Sequence, residues 1–142
     1  MDLHQITPEI TVAPQITPDE VAEAARLGFR TLIDNRPDEE AGPGFDSAAM
    51  AAAAEAAGLA FHYLPYYPGE LTQELADAFA EVLAGAQTPV LAWCRSGTRS
   101  SHLWALSEAG RRPVAEIVDL AARAGYDHRG LVPLLEAQAA IR

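Results

Sequence analysis

Short runs of apolar and β-branched residues alternate along this chain with longer segments of helical composition. Residues 9–13 alternate between apolar and polar side chains, which predicts a strand with one buried face. Residues 29–34, 59–66 and 88–93 are also predicted strands. After its first residue the last run is wholly apolar, which is typical of a strand buried inside a parallel sheet.

The segments between and after these strands carry helix start and stop signals. Thr17 and Thr72 are predicted N-caps, and Pro18 suits the first turn of a helix. Gly58 follows a segment made almost entirely of helix formers and is predicted to end it. The predicted helices cover residues 17–28, 47–57, 72–84, 99–109, 113–125 and 131–141.

The order of these elements predicts the fold class. Strands that alternate with helices favour an α/β domain with a central, mostly parallel sheet and helices on both faces. We expect four or five strands and about six helices. The chain has 142 residues and no linker-like segment, so we predict one domain over residues 1–142.

Charge and composition narrow the function classes. The formal net charge is −10, which disfavours nucleic acid and anionic membranes as partners. No run approaches the ~20 apolar residues of a membrane span. Residues 1–5 lack the basic start and apolar run of a signal peptide, so we predict a cytoplasmic protein. The sequence leaves the oligomeric state open.

Cys94 is the single cysteine, so an internal disulfide and a zinc site built on cysteines are excluded. His4, His62 and His128 have neither the grouping nor the spacing of metal ligands. We therefore expect neither a metal nor a cofactor. A lone cysteine is most often a small buried apolar residue, so a chemical role for Cys94 depends on its neighbours.

The neighbours of Cys94 predict an anion-binding loop between a strand and a helix. The segment is Cys94-Arg95-Ser96-Gly97-Thr98-Arg99-Ser100. Gly97 permits a curled backbone whose N–H groups, from Arg95 through Ser96 and Thr98 to Arg99, form an anion nest beside the positive end of the helix. The Arg99 guanidinium is predicted to bind two oxygens of an oxyanion, and Ser100 to donate a hydrogen bond to the cysteine sulfur. These features favour the thiolate of Cys94, which is the nucleophilic form.

Other candidates lie at the ends of neighbouring strands, on the same side of the sheet as Cys94. Arg36 follows the second strand and is predicted either to bind substrate or to pair with Asp38. Tyr66 and Tyr67 follow the third strand and are predicted to wall the pocket, with simple packing as the alternative.

At these residues the chain resembles a bacterial family named beta-lactamase hydrolase-like protein, phosphatase-like domain. The resemblance covers nearly the whole chain and is strongest in the loop from Cys94 and in Leu103-Trp104-Ala105-Leu106 after it. Further matching segments are Gln15-Ile16-Thr17, Gly28-Phe29-Arg30-Thr31-Leu32-Ile33-Asp34-Asn35-Arg36-Pro37-Asp38, Ala56-Ala57-Gly58-Leu59-Ala60 and Ala124-Gly125-Tyr126-Asp127. This family resembles the protein tyrosine and dual-specificity phosphatases, which implies a phosphatase-like fold.

The chain departs from the phosphatase pattern at three points. Four residues separate Cys94 from Arg99, where tyrosine phosphatases have five, and Trp93 stands where a histidine is usual. Residues 64–71 contain no aspartate to protonate a leaving alcohol, although Glu70 lies there in a predicted solvated turn. Loss of a general acid costs roughly 10²–10⁴-fold in rate.

A cysteine and an arginine separated by four residues, with arginine directly after cysteine, also resemble the rhodanese sulfurtransferases. Sulfur transfer through a Cys94 persulfide needs an activated cysteine and a cationic pocket but no strong acid, since sulfite and thiolates leave readily. The phosphatase-like family is also found fused to sulfide-oxidising and persulfide-handling enzymes.

Three functions are therefore consistent with the sequence. The favoured hypothesis is a cysteine-dependent sulfurtransferase that uses thiosulfate or a low-molecular-weight persulfide. The alternative is a hydrolase of phosphate esters that acts through a phospho-cysteine. The third is a non-catalytic module that binds an anion or a phosphorylated partner. All three predict a small anionic group in the loop.

Overall fold

The computed structural model describes residues 1–142, which fold into five strands and six α-helices. The strands are β1 (His4–Thr7), β2 (Ile10–Ala13), β3 (Thr31–Asp34), β4 (Ala60–Tyr63) and β5 (Val90–Trp93). The helices are α1 (Pro18–Arg26), α2 (Ser47–Ala57), α3 (Gln73–Gly85), α4 (Thr98–Glu108), α5 (Val114–Arg123) and α6 (Val132–Ala140), and a 3₁₀ turn covers Arg129–Leu131.

The five strands form one sheet in the order β1-β2-β5-β3-β4. Only β1 runs antiparallel to its neighbour, and the other pairs are parallel. Asp34 at the end of β3 is in register with both Tyr63 and Trp93, so three strands end at the same edge. The predicted α/β fold with a mostly parallel sheet is confirmed, and the loops after these strands meet at that edge.

Strand β1 was not predicted. It is a four-residue edge strand that pairs with β2 through a hairpin, and its register shifts between Gln5 and Thr7. A segment this short, with two polar residues before Ile6, has too little alternation to stand out from a loop. Its burial comes from packing on the rest of the domain, which the local pattern does not record.

The helix caps follow the predicted chemistry. Thr17 caps α1 in a capping box, in which Glu20 donates its backbone N–H to Thr17 and accepts the Thr17 N–H in return. Thr72 caps α3 by accepting from the Leu75 N–H at 3.1 Å. Gly58 ends α2 with φ +76°, the left-handed conformation that glycine adopts at least cost.

The sheet buries an apolar core on each face. On the side of α3 to α6, the core includes Val12, Ile33, Val90, Phe79 and Trp104. On the side of α1 and α2, it includes Leu32, Met50, Leu91 and Trp93. Helix α4 is the most enclosed, with seven buried residues among its eleven. Truncation of Trp104 to alanine is expected to cost about 3–5 kcal/mol of stability.

None of the helices is both long enough and apolar enough to cross a membrane. The enclosed helix α4 follows directly on β5, so the loop that joins them is anchored at both ends in the core.

Candidate active site

Cys94 lies at the junction of β5 and α4. Strand β5 ends at Trp93, and α4 begins at Thr98 after Gly97, which has φ +89°. No side chain caps the N-terminus of α4. Helix N-termini attract anions, so this end of α4 is open to one. The loop from Cys94 to Ser100 is called the anion-binding loop below.

The Cys94 sulfur lies inside this loop and is only 1% exposed as a residue. The Gly97 N–H donates to Sγ at 3.1 Å, so the sulfur accepts a backbone hydrogen bond from within the loop. The backbone N–H groups of Arg95, Ser96, Arg99 and Ser100 donate to no protein acceptor. Several unpaired N–H groups in one loop are what an anion nest requires, and the nest itself stays a prediction.

The side chains of Ser96 and Thr98 lie on the exposed rim of the loop. The Ser96 hydroxyl donates to Thr98 Oγ1 at 3.1 Å and accepts the Thr98 N–H at 3.4 Å. Their hydroxyls therefore shape the turn, while the backbone of the loop supplies the free donors.

Arg99 is held in place by a carboxylate and a carbonyl. Its Nη1 and Nη2 donate to the two oxygens of Glu40 at 3.0 and 2.7 Å, and Nη1 also donates to the Tyr66 carbonyl. Both Nη1 protons are then in use, whereas the Nε proton and one Nη2 proton have no acceptor. Nε and Nη2 lie on one edge of the guanidinium, so that edge remains free to bind two oxygens of an oxyanion.

The predicted contact between Ser100 and the cysteine sulfur is wrong. The Ser100 hydroxyl is buried and donates to Asn35 Oδ1 at 2.8 Å. Asn35 in turn donates from Nδ2 to the Leu64 carbonyl at 2.8 Å. Because a hydroxyl has a single proton, Ser100 has none left for Cys94. Ser100 instead connects α4 to the ends of β3 and β4.

An open pocket of about 550 Å³ lies over the anion-binding loop and is lined by Arg36, Glu40, Pro68, Arg95 and Arg99. Three arginines and a single carboxylate thus line the pocket, on a chain whose net charge is −10. The predicted pairing of Arg36 with Asp38 does not form. Asp38 accepts hydrogen bonds from Ser47 instead, and Arg36 lies in the pocket.

Neither Tyr66 nor Tyr67 lines this pocket, so for Tyr66 the structure favours the alternative role in packing. Tyr66 is buried, and its hydroxyl lies 3.2 Å from His102 Nδ1. Burial raises its pKa above the ordinary value. The Tyr67 side chain turns outward and donates to Glu39. The contribution of this segment to the site is the Tyr66 carbonyl, which accepts from Arg99.

Tyr126 supports the anion-binding loop from its inner side. Its hydroxyl lies 3.5 Å from the Ser96 carbonyl, and a Cβ added at Gly97 would lie 2.3 Å from the same hydroxyl oxygen. Burial raises the pKa of Tyr126 to about 12. Gly97 is therefore required both by its positive φ and by the close approach of a neutral phenol.

A buried hydroxyl and a histidine hold the first turn of α4. The Ser101 hydroxyl donates to the Thr98 carbonyl at 2.6 Å and lies 2.8 Å from His128 Nε2. Since the Ser101 proton is used, His128 must donate from Nε2, which assigns its tautomer. Burial lowers the pKa of His128, which favours the neutral ring.

His102 lies between His128 and Tyr66, with ring centroids 5.0 and 6.1 Å away. Burial, together with the nearby His128 and Arg99, lowers the pKa of His102 to about 4. A histidine that stays neutral over the physiological range is not suited to protonate a leaving group. Its place in the packing favours a structural role.

No carboxylic acid is placed to protonate a leaving group in this pocket. Glu40 is the only carboxylate that lines it, and both of its oxygens accept from Arg99. Glu70 is exposed and its side chain contacts no site residue by hydrogen bond or ion pair. Asp34 is buried at the end of β3, where burial raises its pKa to about 7, but it does not line the pocket.

Sequence reasoning missed Glu40, Ser101 and His128 as site residues. Glu40 lies 59 residues from Arg99 in the chain, and Ser101 lies 27 residues from His128. The available signal for Glu40 was its position in the loop after β3, at the sheet edge where Cys94 also lies.

Comparisons with known proteins give one consistent family. Residues 2–111 match the family described as Beta-lactamase hydrolase-like protein, phosphatase-like domain. A Beta-lactamase hydrolase-like protein of Xylella fastidiosa (strain 9a5c) is 37% identical over 143 residues, covering 98% of this chain and 33% of the relative. The chain therefore spans about a third of the length of that relative.

Solved structures agree with this family. A crystal structure of a proposed phosphatase from Neisseria meningitidis is 32% identical, with a TM-score of 0.83 and coverage of 97% of this chain and 99% of that one. TpbA of P. aeruginosa, a cysteine-to-serine variant in complex with pTyr, has a TM-score of 0.64 at 17% identity. That alignment covers 98% of this chain and 90% of TpbA, and it shows a shared fold.

Proposed function

This chain belongs to the beta-lactamase hydrolase-like, phosphatase-like domain family, and we propose that it is a cysteine-dependent phosphatase. The observation that carries the proposal is the free edge of Arg99 beside the unpaired N–H groups of the anion-binding loop. Together they supply donors for a tetrahedral oxyanion next to the Cys94 sulfur. Family membership and the phosphatase-like neighbours favour this function over sulfur transfer, which the sequence alone favoured.

In this proposal the Cys94 thiolate attacks the phosphorus atom of a bound phosphate ester. A sulfur–phosphorus bond forms, and the bond from phosphorus to the leaving oxygen breaks. The electron pair stays on that oxygen, which takes its proton from solvent water. The loop N–H groups and the free edge of Arg99 bind the equatorial oxygens, where charge is greatest in the transition state. Water then attacks the phospho-cysteine, which releases dihydrogen phosphate and regenerates the thiolate.

Glu40 acts in this mechanism as a positioning residue. Its two-fold contact fixes the plane of the Arg99 guanidinium and leaves the edge with Nε facing no protein acceptor. A donor group that is already oriented does not have to reorganise when charge develops, which is the basis of electrostatic catalysis in a preformed site.

Sulfur transfer is the second candidate, since two observations favour it. The loop has four residues between Cys94 and Arg99, one fewer than tyrosine phosphatases have, and a persulfide adds a single atom. The pocket also offers no acid for a leaving alcohol.

One experiment separates these functions. The protein is mixed in turn with p-nitrophenyl phosphate and with thiosulfate, quenched, and its intact mass measured, while phosphate release is followed. A phosphatase gains one phosphoryl group on Cys94 and releases phosphate, and Cys94→Ser lowers that release by several orders of magnitude. Circular dichroism of Cys94→Ser serves as the folding control.

Two other outcomes of this experiment would support a different function. A gain of one sulfur atom from thiosulfate, without phosphate release, would make the chain a sulfurtransferase. Orthophosphate binding with no covalent adduct from either reagent would support the non-catalytic binding module instead.

A further inference from the structure

More guanidinium groups line the pocket over the anion-binding loop than a phosphoryl group on that loop would contact. Arg36, Arg95 and Arg99 line the pocket, and its only carboxylate, Glu40, uses both oxygens on Arg99. A phosphoryl group on the loop would engage the free edge of Arg99 and the backbone N–H groups. Arg95 would then still lack an anionic partner, and Arg36 would have only its long ion pair with Glu40, 3.7 Å from Nε to Oε1.

Arg36 is largely buried but poorly satisfied. Its Nη1 donates to Gln15 Oε1 at 3.3 Å, while its buried Nε has no hydrogen-bond partner and lies 3.7 Å from Glu40 Oε1. A buried donor without an acceptor costs free energy, so native proteins rarely keep one without a reason. A ligand oxygen in the pocket would supply the acceptor.

Arg95, which is exposed, would also gain a partner from a ligand oxygen in the pocket. Its side chain forms no ion pair, although the chain carries 20 acidic residues. It lines the pocket and follows the proposed nucleophile directly in the chain, so it can contact the part of a substrate that extends into the pocket.

The missing acid restricts the leaving group itself. Without a proton donor, only a weakly basic oxygen departs readily from phosphorus. A leaving group that is itself a phosphate is a weak base and also carries negative charge, which Arg95 lacks and Arg36 meets only at 3.7 Å in Glu40. A single class of substrate therefore accounts for both the missing acid and the arginines of the pocket.

We infer that the substrate is a phosphoanhydride, with its terminal phosphoryl group on the anion-binding loop and its leaving phosphate bound by Arg36 and Arg95. This inference rests on the proposed phosphatase function. The Cys94 thiolate forms a bond to the terminal phosphorus, and the bridging phosphorus–oxygen bond breaks. Its electron pair stays on the leaving phosphate, where the arginines balance the charge and no proton is needed. Water then cleaves the phospho-cysteine.

The test compares two substrates whose leaving groups are similarly weak bases but differ in charge. The kcat/KM for inorganic tripolyphosphate is expected to exceed that for p-nitrophenyl phosphate. Arg36→Gln and Arg95→Gln should each lower the tripolyphosphate value about tenfold more than the p-nitrophenyl phosphate value, the scale of one charge-assisted hydrogen bond. Arg26→Gln, an exposed arginine on α1 with no ion pair, is the matched control and should change neither value.

Binding to Cys94→Ser gives a second measurement that does not need turnover. By calorimetry, Arg95→Gln in that background should weaken pyrophosphate about tenfold more than orthophosphate. Cys94-dependent release of p-nitrophenol, with both substrates affected equally by the arginine variants, would overturn the anhydride inference and leave the phosphatase function standing. No Cys94-dependent turnover of either substrate would overturn both.

Discussion

On its inner side the anion-binding loop is held by paired groups, whereas on its outer side it carries donors that have no protein partner. Ser100 donates to Asn35, and Ser101 connects His128 to the Thr98 carbonyl. On the outer side, Arg95 and one edge of Arg99 have no acceptor, and neither do several loop N–H groups. The two sides belong to the same eight consecutive residues, Cys94 to Ser101.

This difference means that the paired inner groups make the loop rigid, while the unpaired outer donors are available to bind an anion. Unpaired donors at an exposed surface are solvated in the free protein, so they cost little until an anion replaces the water. Paired groups on the buried side fix the positions of those donors. A loop that was unpaired on both sides would have no defined shape, and one that was paired on both sides would bind nothing.

Among the predicted effects, the largest is the loss of activity from a substitution on the outer side of the loop, at Arg99. Arg99→Lys keeps the positive charge but replaces a planar fork with a point charge, so it cannot bind Glu40 and two substrate oxygens at once. We expect kcat/KM for p-nitrophenyl phosphate to fall about 10²–10³-fold, as when one oriented donor is lost from an oxyanion site. Steady-state kinetics measure this, and Arg26→Lys on the exposed face of α1 is the matched control.

The same variant tests whether the outer side binds the anion at all. Inhibition by inorganic phosphate should weaken together with kcat/KM. Kinetics and phosphate inhibition equal to those of the wild type would show that Arg99 acts only as the structural partner of Glu40.

The two sides of the loop differed in how well the sequence predicted them. The outer residues are consecutive, so the motif from Cys94 to Arg99 identifies them together. The inner contacts join residues far apart in the chain, such as Ser100 with Asn35, which are 65 residues apart. No local pattern records such a pairing. The predicted bond from Ser100 to the sulfur is wrong because the actual partner, Asn35, is close in space but distant in the chain.

The fold shows the same contrast between local signals and contacts that are distant in the chain. Helices α1 to α3 were predicted close to their observed bounds, because caps such as Thr17 and Thr72 are local signals. The edge strand β1 has few local signals and was missed. The order of the strands, with β5 between β2 and β3, depends on how helices cover both faces, and strand patterns alone do not fix it.

A smaller effect is expected where the two sides meet, at Gly97. In Gly97→Ala the new Cβ would lie 2.3 Å from Tyr126 Oη at a backbone φ of +89°. We expect the free energy of unfolding to fall by about 1–3 kcal/mol, from backbone strain and overpacking together. Urea unfolding measures the loss, and adding Tyr126→Phe should recover part of it by removing the hydroxyl.

Gly28→Ala is the control that separates strain from contact. Gly28 also has a positive φ, +101°, but a Cβ there would meet nothing within 4 Å. It should therefore lose stability from strain alone, with no recovery from Tyr126→Phe. Equal losses in Gly28→Ala and Gly97→Ala, with no recovery in either, would show that Tyr126 does not press on the loop.

The smallest effect is expected on the inner side, from His102. Its pKa is about 4 in the folded chain and 6.5 when unperturbed, so between these values the unfolded chain binds more protons. The contribution of neutral His102 to stability is complete above pH 6.5 and is lost as the pH falls toward about 4. Because the ring is partly exposed, we expect a loss of roughly 1–2 kcal/mol between about pH 8 and about pH 5.

His102→Asn isolates this contribution, because asparagine keeps an acceptor for Tyr66 but does not titrate. Asp34 changes stability in the opposite direction, since burial raises its pKa to about 7 and its contribution is lost as the pH rises toward that value. Both proteins keep Asp34, so the difference between them reports His102 alone. Urea unfolding of each at the two pH values should show a smaller acid loss in His102→Asn. An equal loss in the two proteins would mean that His102 titrates freely, and that the inner side of the loop is more open to water than its packing indicates.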